Sequence, residues 1–162
     1  MITKLFFIIL IFFSFSKSSV ALGKQGHQIV CQLAFEHLSP AKQSRISTLL
    51  KLIPKKHQYL INNYSYKKQS SPITFANACV WADAIKRLEN FKAYRPWHFM
   101  NVARDHSNIK TNDCTKNCLP QAILTHQKIL AQTKNDANWQ QVQALLFLGH
   151  WLGDIHQPFH IS

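Results

Sequence analysis

Apolar residues return every three or four positions along most of residues 26–155, and prolines interrupt the runs. That period is the period of an α-helix; a half-buried strand would alternate every second residue. From Gly26 to Leu38 the apolar positions are Ile29, Val30, Leu33, Ala34 and Leu38. Ser39 and Pro40 follow as a helix start, a capping residue and then proline at the first helical position. The helix they open carries Ile46, Leu49, Leu50 and Ile53, and Pro54 is expected to stop it. Residues 55–72 are polar and basic, a loop or short helix. Thr74 to Arg87 reads as one helix, with Phe75, Ala78, Cys79, Ala82 and Ile85 on one face. Arg95 to Val102 reads as extended and Asp105 to Leu119 as a polar loop. Pro120 to Thr133 and Asp136 to Ile155 are two further helices, the last closed by Pro158. Four glycines and few clustered β-branched residues argue against a large sheet. The expected fold class is all-α, in one modest domain of a 162-residue chain.

The first 21 residues are expected to lie outside that domain. Lys4 gives a positive start, Leu5 to Phe15 is an almost wholly apolar run, and Ser19, Val20 and Ala21 put small residues where a signal peptidase reads. The run is short for a membrane span. The expectation is a secretory signal peptide over 1–21, a mature domain over 22–162, no stable membrane anchor after cleavage, and a secreted or periplasmic protein. An uncleaved anchor is the alternative. Lys and Arg outnumber Asp and Glu by 19 to 7, which favours polyanions or anionic lipid surfaces as partners. The four cysteines, Cys31, Cys79, Cys114 and Cys118, suit an oxidising compartment. Cys114 and Cys118 could close a small loop; Cys31 and Cys79 could be paired or buried as thiols. Spacing does not choose among the three full pairings.

The chemistry concentrates in apolar surroundings. His150 and Asp154 are four apart on the last helix and so share a face, a spacing that lets an imidazole and a carboxylate hold one metal ion. Taken alone the pattern is weak in a chain with nine histidines. Asp83 lies in an apolar helix, His98 between Trp97 and Phe99, and His27 just after Gly26. Each singly is more simply read as a hydrogen-bonded core residue or a cap. A buried carboxylate needs a partner, and a metal ion or a salt bridge would serve.

Four stretches, in order, carry a resemblance: Leu22-Gly23-Lys24-Gln25-Gly26-His27, then Trp81-Ala82-Asp83, then Trp97-His98-Phe99-Met100-Asn101, then His150 through His160. They resemble the successive motifs of the zinc-dependent single-strand nucleases of the nuclease S-one and nuclease P-one type, a helical family sharing its architecture with zinc-dependent phospholipase C. The resemblance covers 22–162 and implies up to three clustered zinc ions. Asp83, His98 and His150 would hold the first. Leu22, through its free α-amino nitrogen and carbonyl oxygen, and His27 would hold the second. Asp154 would bridge the two, and His160 would be one ligand of the third. Leu22 stands where the family usually has tryptophan. His156 matches a position that is not a ligand. Phe99 matches a base-stacking position, with a core aromatic as the alternative, and Lys86 or Arg87 could meet a phosphate, with a solvated helix residue as the alternative.

The resemblance further implies attack of a metal-activated water on a phosphodiester of single-stranded DNA or RNA, leaving 5′-phosphate products, with Asp83 and Asp154 in the catalytic centre. The family domain continues past Ser162 with a further His and Asp for the third ion. This leads to the expectation of a missing C-terminal half, apolar faces left uncovered and weak activity of the chain by itself. Two alternatives stay open: a phospholipase C-like phosphodiesterase and a non-catalytic metal-binding remnant.

Overall fold

The computed structural model describes residues 23–103, 105, 108–110, 113, 114, 117–132 and 137–161. The expected signal segment 1–21 and Leu22 lie outside the described residues. The fold is all-α, as expected. Among the described residues it comprises α1 (Lys24–Glu36), α2 (Pro40–Leu50), α3 (Lys55–Tyr64), the short α4 (Phe75–Ala78) and α5 (Trp81–Ile85), α6 (Leu119–Gln132) and α7 (Trp139–Asp154). A 3₁₀ segment, Glu89–His98, precedes α6, and a 3₁₀ turn, Pro158–His160, follows α7. No described helix is long and apolar enough to cross a membrane.

α7 is the central element. It packs on α1, α2, α5, α6 and the 3₁₀ segment. It starts at Asn138, whose side chain accepts a hydrogen bond from the Gln141 backbone N–H. Its inner face contributes Val142, Leu146, Phe147 and Trp151 to the core, where Trp81, Ile61, Ile85 and Leu119 meet them. Phe147 stacks on Trp151 at 5.2 Å between centroids and meets Trp81 edge-on at 4.9 Å. Truncating either buried tryptophan to alanine should cost about 3–5 kcal/mol.

Several local expectations are corrected. α1 buries His27 and Cys31, while Ile29 and Leu33 are 59% and 52% exposed. The helix therefore turns the His27–Cys31–Phe35 stripe inward, towards α4 and α7. Val30, Ala34 and Leu38 instead line an open apolar groove with Leu145, Leu148 and Leu152. Leu152 is 42% exposed there. Ser39 is the N-cap of α2 and Pro40 its first residue, but the Ser39 side chain makes no capping bond. α2 ends at Leu50, and Pro54 is the residue from which α3 begins. α7 ends at Asp154, ahead of Pro158.

The helix expected over 74–87 is broken in two at Cys79 and Val80. Arg95 to His98 is 3₁₀ rather than extended, consistent with Pro96 removing a donor there. The extended backbone begins at Phe99, and Met100 forms an isolated parallel bridge with Ile161. Two disulfides are present, Cys31–Cys79 and Cys114–Cys118, which settles the open pairing. The first ties α1 to the break between α4 and α5.

Candidate metal centre and its cleft

The helix break is what builds the site. A continuous helix would spend the Cys79 carbonyl on an internal bond. Here the first carbonyl used by α5 is that of Val80, bonded by Ala84 N–H, so Cys79 O is free. The Nδ1–H of fully buried His150 donates to it at 2.7 Å. This fixes the tautomer: Nε2 carries the lone pair of the neutral ring. That nitrogen faces Asp154 Oδ2 at 3.3 Å and Asp83 Oδ1 at 3.7 Å. Three electron-rich atoms in a buried space require a shared proton or a metal ion between them.

The other groups converge on the same point. His98 Nδ1 lies 3.0 Å from Asp154 Oδ2 and 3.8 Å from Asp83 Oδ1. His27 stacks on His150 at 3.8 Å and places Nε2 3.2 Å from Asp154 Oδ1. Its Nδ1 is buried and has no hydrogen-bond partner among the described residues. His160 Nδ1 donates to His98 O at 2.6 Å and lies 3.2 Å from Asp154 Oδ1. The side-chain ligand atoms of His27, His150 and Asp154 lie within 4.8 Å of one another, as do those of Asp83, His98 and His150. The donor set of imidazole nitrogens and carboxylate oxygens fits a divalent transition metal.

Burial and the hydrogen bonds within the cluster set the protonation of its groups. Burial alone would raise the Asp154 pKa, but hydrogen bonds from His150, His27 and His98 outweigh it and hold the carboxyl far below the usual range. Burial likewise works against ionised Asp83, and His150 and Lys86 overcome it, lowering its pKa. For His150, burial disfavours the charged ring, yet the bond to Asp154 and the two carboxylate charges raise its pKa. Burial wins at His27 and His98, whose pKa values are lowered. Metal and proton thus compete for the same nitrogens.

The cluster floors an open cleft of about 720 Å³, lined also by Tyr64, Lys86, Arg87, Arg95 and Phe99. Phe99 is 39% exposed there and so is not a core aromatic. Lys86 bonds Asp83 Oδ1 at 2.8 Å. His156 is exposed and its Nδ1–H donates to the Leu152 carbonyl, apart from the cluster. Of the residues singled out in the sequence, the structure brings together His27, Asp83, Lys86, His98, Phe99, His150, Asp154 and His160; Leu22 is outside the described residues.

Two contributors were not found in the sequence. Tyr64 O–H donates to Asp83 Oδ2 at 3.3 Å from α3, a segment read only as polar loop or short helix. Burial, with the Asp83 charge, raises the Tyr64 pKa to about 12, so it stays a donor. Arg95 Nε donates to the Lys86 carbonyl at 2.7 Å. No local pattern marks either contact.

The chain is 28% identical over 150 residues to Endonuclease 2 of Arabidopsis thaliana, covering 86% of this chain and 45% of that protein. It is 27% identical over 158 residues to Endonuclease 3 of the same plant, covering 94% and 48%. It is 26% identical over 144 residues to Nuclease S1 of Aspergillus oryzae, covering 85% and 43%. The chain therefore spans under half the length of these relatives. The family model for S1/P1 nuclease matches residues 22–162, which take in every residue of the cluster. The chain belongs to the S1/P1 nuclease family.

Proposed function

We propose that this chain carries the zinc-binding, water-activating part of an exported nuclease that hydrolyses phosphodiester bonds in single-stranded DNA or RNA. One observation carries the reading: two carboxylates and three imidazoles, all buried but the partly buried Asp83, meet on the floor of a cleft whose rim is cationic and aromatic. Asp83, His98 and His150 would hold one zinc ion; Leu22, His27 and Asp154 would hold a second, with Asp154 shared. Zinc bound there supplies Lewis acidity towards water and the phosphoryl oxygens. His160 stands beside Asp154 and would face a third ion.

The chain's own residues set the conditions for this. The Cys79 carbonyl holds His150 in the tautomer a metal needs, and Tyr64 and Lys86 orient Asp83. Burial of His27 and His98 keeps both rings neutral and able to donate lone pairs. Phe99 offers a face to an unpaired base, which suits single strands. Names of the relatives, endonuclease and nuclease, support nucleic acid as substrate. Export is supported by the signal-like segment 1–21 and by the two disulfides.

The test is to express the chain with export, determine its N-terminus and zinc content, and assay single-stranded DNA, RNA and phosphatidylcholine. The expected result is a mature start at Leu22, bound zinc and cleavage of nucleic acid that Asp154→Asn abolishes. Turnover of phosphatidylcholine alone would replace this reading with a phospholipase. Bound zinc without turnover would make the chain a metal-binding remnant.

A further inference from the structure

We propose that Arg87 and Arg95 form a second phosphate subsite, beside the metal centre, for the backbone phosphate next to the one cleaved. The inference rests on the nucleic-acid reading above and names how a strand, rather than a lone nucleotide, is held.

Three cations line the cleft, and their states differ. Lys86 is already paired with Asp83 at 2.8 Å. The nearby Glu89 is paired with Lys92. Arg87 and Arg95 have no carboxylate partner among the described residues, although both line the same cleft as Asp83 and Asp154. Arg95 is nevertheless held in place. Its Nε–H donates to the Lys86 carbonyl, the oxygen of the peptide bond that leads into Arg87. The Arg95 guanidinium, carried by the 3₁₀ segment, is thereby held at the C-terminal end of α5, where Arg87 follows Lys86.

That anchor uses one of the five N–H donors of a guanidinium and leaves the two Nη groups as a planar fork. Such a fork fits two oxygens of a phosphodiester. A positioned but unneutralised arginine loses less side-chain freedom when an anion arrives. The acidic floor is the reason the arginines are needed on the rim. Two carboxylates repel a polyanion until metal ions offset them, and a strand carries further phosphates beyond the one at the metals. Phe99 on the same cleft would then take the base while the arginines take the adjoining phosphate.

The test is binding of a fluorescein-labelled phosphorothioate oligothymidylate of about 12 nucleotides, within the span of single-strand sites. Anisotropy is read on the zinc-loaded chain across a salt series. Each phosphate contact to a single strand contributes about 0.7 to the slope of log Kd against log salt. Arg87→Gln and Arg95→Gln should each weaken binding roughly tenfold, as loss of one charge-assisted contact does, and each lower the slope by about 0.7. Arg95→Lys should keep the slope but bind more weakly, because the charge stays and the fork is lost. Lys42→Gln, on the distant apolar groove, should leave the slope at the wild-type value and so controls for net charge. Arg87 is exposed and serves where Arg95→Gln disturbs the fold. Wild-type slopes in both glutamine variants would overturn the subsite, even in a chain that cleaves DNA. Reduced slopes in a chain that cleaves no nucleic acid would uphold the subsite and overturn the nuclease reading.

Discussion

Gly149 sits on α7 one residue before the central histidine and lies directly against the Cys31–Cys79 disulfide. A Cβ built there would lie 2.7 Å from Cys79 Sγ, 3.1 Å from Cys31 Sγ and 3.4 Å from the Phe75 ring. The two sulfurs belong to a bridge anchored in two elements, so they cannot swing away as a flexible side-chain end would. Gly149→Ala should therefore overpack the site, at a cost of about 2–3 kcal/mol. Alanine returns about 1 kcal/mol of helix propensity, leaving about 1–2 kcal/mol of net destabilisation. At roughly 4 °C per kcal/mol for a domain of this size, the melting temperature should fall by about 4–8 °C. Differential scanning calorimetry checks this, and a double-mutant cycle isolates the cause. In a Cys31→Ala, Cys79→Ala background the sulfurs are gone, and Gly149→Ala should become neutral or stabilising by up to about 1 kcal/mol. The same shift of α7 would pull His150 off the Cys79 carbonyl, so zinc affinity should fall together with stability. A Gly149→Ala protein that melts higher with the disulfide intact, or the same cost in both backgrounds, would refute the argument.

Asp154→Ala removes the ligand shared by the two proposed zinc ions, and zinc content by emission spectrometry should drop for both ions, not one. Tyr64→Phe removes the bond that orients Asp83; zinc affinity by competitive chelation should weaken about tenfold or somewhat more, with little change in the circular dichroism spectrum. His126 tests the acid limb of stability. It is buried against Trp97, Phe147 and Trp151, and burial lowers its pKa although its Nδ1–H bonds the Ala122 carbonyl. In the unfolded chain the ring takes up a proton near pH 6.5, while the folded ring does not until lower pH. Stability is thus lost as pH falls below about 6.5, and His126→Phe should flatten that loss in melts between about pH 7.5 and 5. His27, His57 and His98 are lowered in the same direction, so some slope should remain. An unaltered slope in His126→Phe would mean that the ring is charged in the fold.

What the sequence discloses about such a site follows from how each residue is held. His150 and Asp154 were legible as a pair because one helix presents positions four apart on one face. Asp83 and His98 were legible as polar groups in apolar stretches. The helix period also gave the fold class, since most of the chain repeats it. It failed where non-local contacts outweigh local pattern. Thr74 to Arg87 keeps a helical apolar period throughout, yet the Cys31–Cys79 bridge and the fully buried Val80 and Trp81 coincide with a break. The same period on α1 pointed to Ile29 and Leu33, whereas the bridge and His27 turn a different stripe inward.

The closing of the site depends on a contact that no window of sequence contains. His98 ends a 3₁₀ segment, and the chain then extends for Phe99 and Met100. Met100 N–H bonds the His160 carbonyl at 2.7 Å, and Leu119 N–H bonds the Phe99 carbonyl at 3.1 Å. These two bonds fix the strand-like pair from both sides, and His160 in turn donates to the His98 carbonyl. Two ligand candidates 62 residues apart are thereby locked to each other through backbone, independent of any metal. The consequence is a difference in how the two should respond to substitution. His98→Ala removes a metal donor and leaves its carbonyl in place. His160→Ala removes the donor to that carbonyl as well, so it should loosen the His98 backbone and weaken binding of the zinc ion proposed at Asp83, His98 and His150. Hydrogen exchange at the Met100 amide separates the two cases: faster exchange in metal-free His160→Ala but not in His98→Ala is the expected result. Equal protection in both would show that the bridge to Ile161 holds without the imidazole.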